Sequence, residues 1–271
     1  MELIPLPSST KTEEKTIWKA SANVICNYMK RPEYLHMILK NMAIIPRYVE
    51  EMIDYMEVPG LSSISFPMTC FCDIPLNRGK FHSDYYGSYG IALDKYKMTK
   101  ANDIQPVFYL NSNSRYYSDF ISTFRKLYEE GKKIGKKWEF LQDFFLSVLL
   151  YSKPIEGNMR KGEITRRLFQ DECEWRFIPT LPEDIDLIIP PDKNTEQGRE
   201  AYSQALALEE NSSTWFKFSI EDIVYLIVPD ETASIDLINY IQSNLDNLDD
   251  IDQKKLISKI EIANRFGENF F

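Results

Sequence analysis

Apolar residues recur at spacings of three and four from Pro32 onward. Leu35, Ile38, Leu39 and Met42 fall on one face, which predicts a helix running toward Glu51 that Pro46 breaks or restarts. Ser63 to Asp73 reads as extended and ends at Asp73-Ile74-Pro75, because the residue before proline is pushed away from the helical region. Tyr89 to Leu93 and Gln105 to Leu110 read as short buried strands. Ser118 to Leu150 reads as two helices. Phe120, Ile121, Phe124, Leu127 and Tyr128 form the first apolar stripe. Trp138, Leu141, Phe145, Val148 and Leu149 form the second, with Gly131 and Gly135 at the junction.

Glu174 to Ile178 alternates, with Trp175 and Phe177 on one face and Glu174, Arg176 and Ile178 on the other. Ile223 to Val228 is an apolar run closed by Pro229, a buried strand. Helix follows from Thr232, with Ile235, Leu237, Ile238 and Ile241 as its core stripe, and the acidic run Asp246 to Asp252 joins it to a further helix. Strands and helices mix without strict alternation, so the expected fold is α+β: a mixed, mostly antiparallel sheet flanked by helices. The expected organisation is a flexible arm over residues 1–15, one domain over 16–230 and a helical C-terminal extension over 231–271 packed on it.

Composition narrows the function classes. The chain has 271 residues, 44% hydrophobic and 13% aromatic, enough for a packed core. Its 41 acidic and 32 basic side chains leave a net charge of −9, which weighs against general coating of nucleic acid. Basic clusters at Arg125, Lys126, Lys132, Lys133, Lys136 and Lys137, and at Arg160, Lys161, Arg166 and Arg167, keep local RNA contact as one alternative; a solvated face balancing Glu129 and Glu130 is the other. No apolar run is long enough for a membrane span, and the N-terminus lacks the pattern of a signal peptide. The expected compartment is the cytoplasm, where Cys26, Cys70, Cys72 and Cys173 would be reduced.

Two stretches carry candidate chemistry. In residues 68–93, Cys70 and Cys72 share one strand face, but a lone C-x-C is short of a four-ligand zinc site, so no metal is expected. Asp73 at a strand end and His82 near a run of aromatics are candidate hydrogen-bonding groups, with Tyr86 or Tyr89 as a stacking surface. The alternative is that Asp73 and His82 satisfy turn backbone groups. In residues 171–177, Glu174 and Arg176 point the same way. They can orient a ligand hydroxyl or form a cross-strand ion pair.

The string Met68-Thr69-Cys70-Phe71-Cys72-Asp73-Ile74-Pro75-Leu76, then His82, then Tyr86-Gly87-Ser88-Tyr89-Gly90-Ile91-Ala92-Leu93, resembles the signature of the AbiGi family of antitoxins from abortive phage-infection systems. Pro106 to Leu110, Lys153-Pro154-Ile155-Glu156-Gly157 and Glu172-Cys173-Glu174-Trp175-Arg176-Phe177-Ile178-Pro179 agree in order, over roughly residues 20–230. The resemblance implies a phage-defence protein that binds a partner toxin of nucleotidyltransferase-like kind, with no cofactor. A looser resemblance is to the ADP-ribosyltransferase layout, in which a first-strand histidine or arginine and a late glutamate grip NAD. Glu174 matches the glutamate, while Asn27-Tyr28-Met29 stands where His-Phe-Thr is expected. That layout implies an alternative enzyme, an ADP-ribosyltransferase or NAD glycohydrolase, with Glu174 catalytic, Tyr86 on the nicotinamide and Asn27 on the ribose.

Overall fold

The computed structural model describes residues 22–134, 139–161 and 163–266. Its spine is an eight-stranded mixed sheet. The chain enters it with β1 (Val24–Met29), turns through α1 (Pro32–Asn41), pairs briefly in β2 (Ala43–Ile44), and returns in β3 (Arg47–Met52) and the ten-residue β4 (Ser63–Cys72). Then come α2 (Lys80–Tyr86), β5 (Tyr89–Asp94), α3 (Lys95–Ala101), β6 (Ile104–Pro106), β7 (Phe108–Leu110) and the helical hairpin α4 (Arg115–Ile134) and α5 (Glu139–Leu150). The next segment holds β8 (Ser152–Pro154), the ribbon β9 (Glu156–Lys161) and β10 (Glu163–Leu168), and β11 (Glu174–Phe177). The chain ends through α6 (Glu196–Leu206), β12 (Phe216–Lys217), β13 (Ile223–Val228), α7 (Glu231–Asn244), α8 (Asp250–Ile257) and β14 (Ile260–Ile262).

The sheet runs β14-β13-β5-β1-β4-β11-β6, with β3 paired to the first half of β4. Only β13 with β14 is parallel within it; the other pairings are antiparallel. The architecture is therefore α+β. The central core lies where α1, α7 and α8 pack on the sheet, around Ile25, Leu35, Phe71, Leu93, Phe216 and Leu226. A second cluster joins the first half of β4 (Ile64, Phe66, Met68) to Phe120, Ile121 and Phe124 of α4 and Leu149 of α5.

Four expectations are corrected. Residues 47–51 form a strand, not helix: α1 ends at Met42, held left-handed at φ 45°, and Pro46 resets the chain so that Tyr48 turns into the core while Arg47 and Val49 face out. The run 105–110 splits into β6 and β7 at Val107, whose N–H bonds the Glu174 carbonyl at 2.9 Å. Ile235 is 58% exposed; Ala233, Leu237 and Ile241, four residues apart, carry the buried stripe of α7 instead. Tyr128 is likewise exposed beside its buried neighbours in α4.

Gly131 lies inside α4, whereas Gly135 and Trp138 fall outside the described residues, as does the arm over residues 1–15. The segment after residue 230 contributes helices and also the edge strand β14. Its Leu237, Ile241, Leu245 and Leu256 belong to the central core.

Candidate functional site

Period-two alternation puts Cys70 and Cys72 on one face of β4, and antiparallel pairing sets Arg176 and Glu174 of β11 directly opposite them. The cysteine-rich and tryptophan-bearing stretches are thus adjacent strands. Trp175 and Phe177 pack into the central core on the other face. Above Glu174 lies a cavity of about 390 Å³.

The cavity opens where one ladder stops short. β1 meets β4 at a single residue pair, Cys26 opposite Cys72. Beyond it the Asn27 side-chain amide donates to the Cys70 carbonyl at 2.8 Å, replacing the strand pairing with one bond. Asn27 and Tyr28 of β1 form one wall. The short helix α2 supplies His82 and Tyr86, and β3 supplies Glu50 and Glu51. The α2 end is fixed by Gly87 at φ 124°, where an added Cβ would lie 2.1 Å from the Met29 carbonyl oxygen. The rings run in series: Tyr28 to His82 at 5.8 Å, and His82 to Tyr86 at 4.6 Å.

The floor is an ionic network. Arg176, 1% exposed, donates through Nε to Glu174 Oε1 at 2.6 Å and through Nη1 to the Leu150 carbonyl at 2.6 Å, and its Nη2 lies 3.2 Å from Glu51 Oε1. Lys153 Nζ donates to Glu174 Oε2 at 2.8 Å and Glu172 Oε2 at 3.1 Å. The Tyr86 hydroxyl donates to Glu172 Oε1 at 2.6 Å, and the Tyr109 hydroxyl accepts the Glu174 N–H at 2.8 Å. Cys173, left-handed at φ 44°, is the bend that lets Glu172 and Glu174 enter the same cluster.

Burial alone would raise the Glu174 carboxyl pKa; Arg176 and Lys153 overturn this and hold it well below the ordinary range. Burial opposes the charge on Lys153 and on Arg176 too, and Glu174 and Glu51 outweigh it in both, so both stay cationic. The thiols stay protonated. Burial pushes Cys70 up, and a hydrogen bond with Cys26, then burial, pushes up Cys72. Burial and the neighbouring Glu172 raise the Tyr86 phenol.

Of the residues singled out in the sequence, Asn27, His82, Tyr86 and Glu174 line this one cavity. Arg176 lies beneath Glu174 and not on the lining; its pair with Glu174 runs along one strand and is not cross-strand. Asp73 is held by both carboxylate oxygens to the fully buried Lys95, at 2.7 and 2.8 Å. Tyr89 packs against the central core and not on the cavity.

Glu51, Lys153 and Glu172 were missed as site residues. Lys153 and Glu172 stand inside the motif strings quoted above, whereas Glu51 lies in a segment that reads as helix. Of the basic clusters, Arg125 pairs with Glu57 and Arg166 with Glu156; the side chains of residues 131–140 and 159–165 lie outside those described. Among the described residues no group of three or more His, Cys, Asp or Glu is placed to hold a metal, and no helix is long and apolar enough to cross a membrane.

Comparison with known proteins fits these landmarks. Residues 42–229, which include β4, α2, β8 and β11, match the AbiGi family, described as "Putative abortive phage resistance protein AbiGi, antitoxin". A relative from Lactococcus lactis subsp. cremoris, the abortive phage resistance protein AbiGi, is 30% identical over 257 residues, covering 84% of this chain and the whole of that protein. No solved structure matches the chain. With the family's region spanning every cavity-building element but β1, and a relative aligned along its entire length, the chain belongs to the AbiGi family of abortive phage resistance proteins.

Proposed function

We propose that this protein works in abortive phage resistance as an antitoxin that binds a partner toxin. The observation that carries the reading is the family match over residues 42–229, described as an antitoxin. The site geometry supports binding over turnover. Glu174 is committed to two cations, and the cavity thiols of Cys70 and Cys72 are held protonated. The partner is a protein encoded beside it, of nucleotidyltransferase-like kind.

Co-expression with the neighbouring gene product tests this. The expected result is relief of the neighbour's growth inhibition and a complex that survives gel filtration. Growth arrest unchanged by co-expression, with no complex, removes the antitoxin reading.

A second reading has one observation in its favour: Asn27, Tyr86 and Glu174 line one cavity. On this reading the protein cleaves or transfers from NAD, with Tyr86 against the nicotinamide, Asn27 on the ribose and Glu174 catalytic. It expects NAD consumption that disappears in Glu174→Gln. An unchanged NAD pool with folded wild-type protein ends it.

A further inference from the structure

The lining of the cavity is electrically lopsided. Glu51, Asp54, Glu172 and Glu174 bring four carboxylates to it, against the one ammonium of Lys153 on the lining; the Glu50 carboxylate is taken up by Ser63 and Arg199. Within the buried network Glu51, Glu172 and Glu174 are matched by three cations: Arg176 reaches Glu174 and Glu51, Lys153 reaches Glu174 and Glu172, and Arg167 reaches Glu172, so the surplus carboxylate is Asp54 at the rim. Arg167 stands 4.0 Å from Glu172 with its guanidinium 3.8 Å over the Tyr85 ring. Carboxylates crowded in a partly desolvated hollow disfavour an anion and favour one more cation.

A separate feature points to the same class of ligand. The walls are aromatic, with Tyr28, His82 and Tyr86 in series on one side and Tyr55 and Phe169 also on the lining. Ring faces attract ammonium and guanidinium groups. The cavity already uses this chemistry once, with Lys153 Nζ 5.0 Å over the Phe169 ring. About 390 Å³ lies in the range of small-molecule pockets, large enough for an alkyl chain with a charged end.

We propose that the cavity binds an organic cation, a primary ammonium or guanidinium on an alkyl chain. Its charge sits at the rim by Asp54 and Glu51, and its stem lies along Tyr28, His82 and Tyr86. This stands apart from the antitoxin reading, because a free polyamine and a basic side chain of a bound protein present the same chemistry.

Calorimetry on the full chain tests it with agmatine, spermidine, a capped Gly-Arg-Gly peptide and, as anionic probes, AMP and NAD. The expected result is one site for at least one of the three cations, weakening as salt is raised. Asp54→Asn, at an exposed rim position, should weaken binding severalfold without disturbing the fold. Glu51→Gln should weaken it at least tenfold, and if that variant does not fold, Asp54→Asn decides. Tightest binding of the arginine peptide assigns the site to a partner's side chain; tightest binding of spermidine or agmatine assigns it to a free amine. No binding of any cation at millimolar concentration, affinity unchanged in Asp54→Asn, or AMP or NAD bound in preference would each overturn the proposal.

Discussion

At the residue scale, Gly87 and Glu174 show the two ways this site is held. Gly87 sits at φ 124° against the Met29 carbonyl, so a side chain there meets both strain and a backbone clash. Gly87→Ala is expected to cost more than about 3 kcal/mol, read as a lowered midpoint in urea unfolding. Glu174 is held by charge. Its folded pKa lies below that of the unfolded chain, about 4.3 for a free glutamate, so its contribution is complete above that value and is lost as pH falls through the folded one. Urea stability of the wild type should therefore drop more steeply between pH 5 and pH 3 than that of Glu174→Gln. Parallel slopes would mean that this carboxylate is not preferentially ionised in the fold.

The element scale shows what was legible in the sequence. Alternation in residues 174–178 put Glu174 with Arg176 and Trp175 with Phe177, because a strand's period of two needs no knowledge of its neighbours. That the charged face is buried and the aromatic face half-buried was not legible, since burial there depends on Lys153 and Glu51 arriving from β8 and β3. The helical reading of residues 47–51 failed for a related reason. The i, i+3, i+4 spacing of α1 does not show that Met42 turns left-handed and that β4 offers an edge for pairing.

The two-residue pairing of β2 with β12 is also invisible in periodicity, and packing holds it. Phe216 is fully buried, with its ring 4.8 Å from Phe71 and 5.2 Å from Phe177. Phe216→Ala should cost about 3–5 kcal/mol, measured by chemical unfolding. A loss below about 1 kcal/mol would show that this ribbon is not pinned by its aromatic contact.

For the whole molecule, the tail is part of the fold. α7, α8 and β14 put Leu237, Ile241, Leu245 and Leu256 into the central core, and β14 covers the edge of β13. Ending the chain after residue 230 should leave β13 as a bare apolar edge and give aggregated or unfolded protein by gel filtration and circular dichroism. A soluble truncation with native spectra would make the tail an accessory.

The ten-residue β4 gives its first half to the cluster under α4 and α5 and its second half to the floor beneath Glu174. One continuous backbone therefore ties the helical hairpin to the hollow. The hairpin and the hollow thus share one support, and a substitution that loosens the first half of β4 is felt in both.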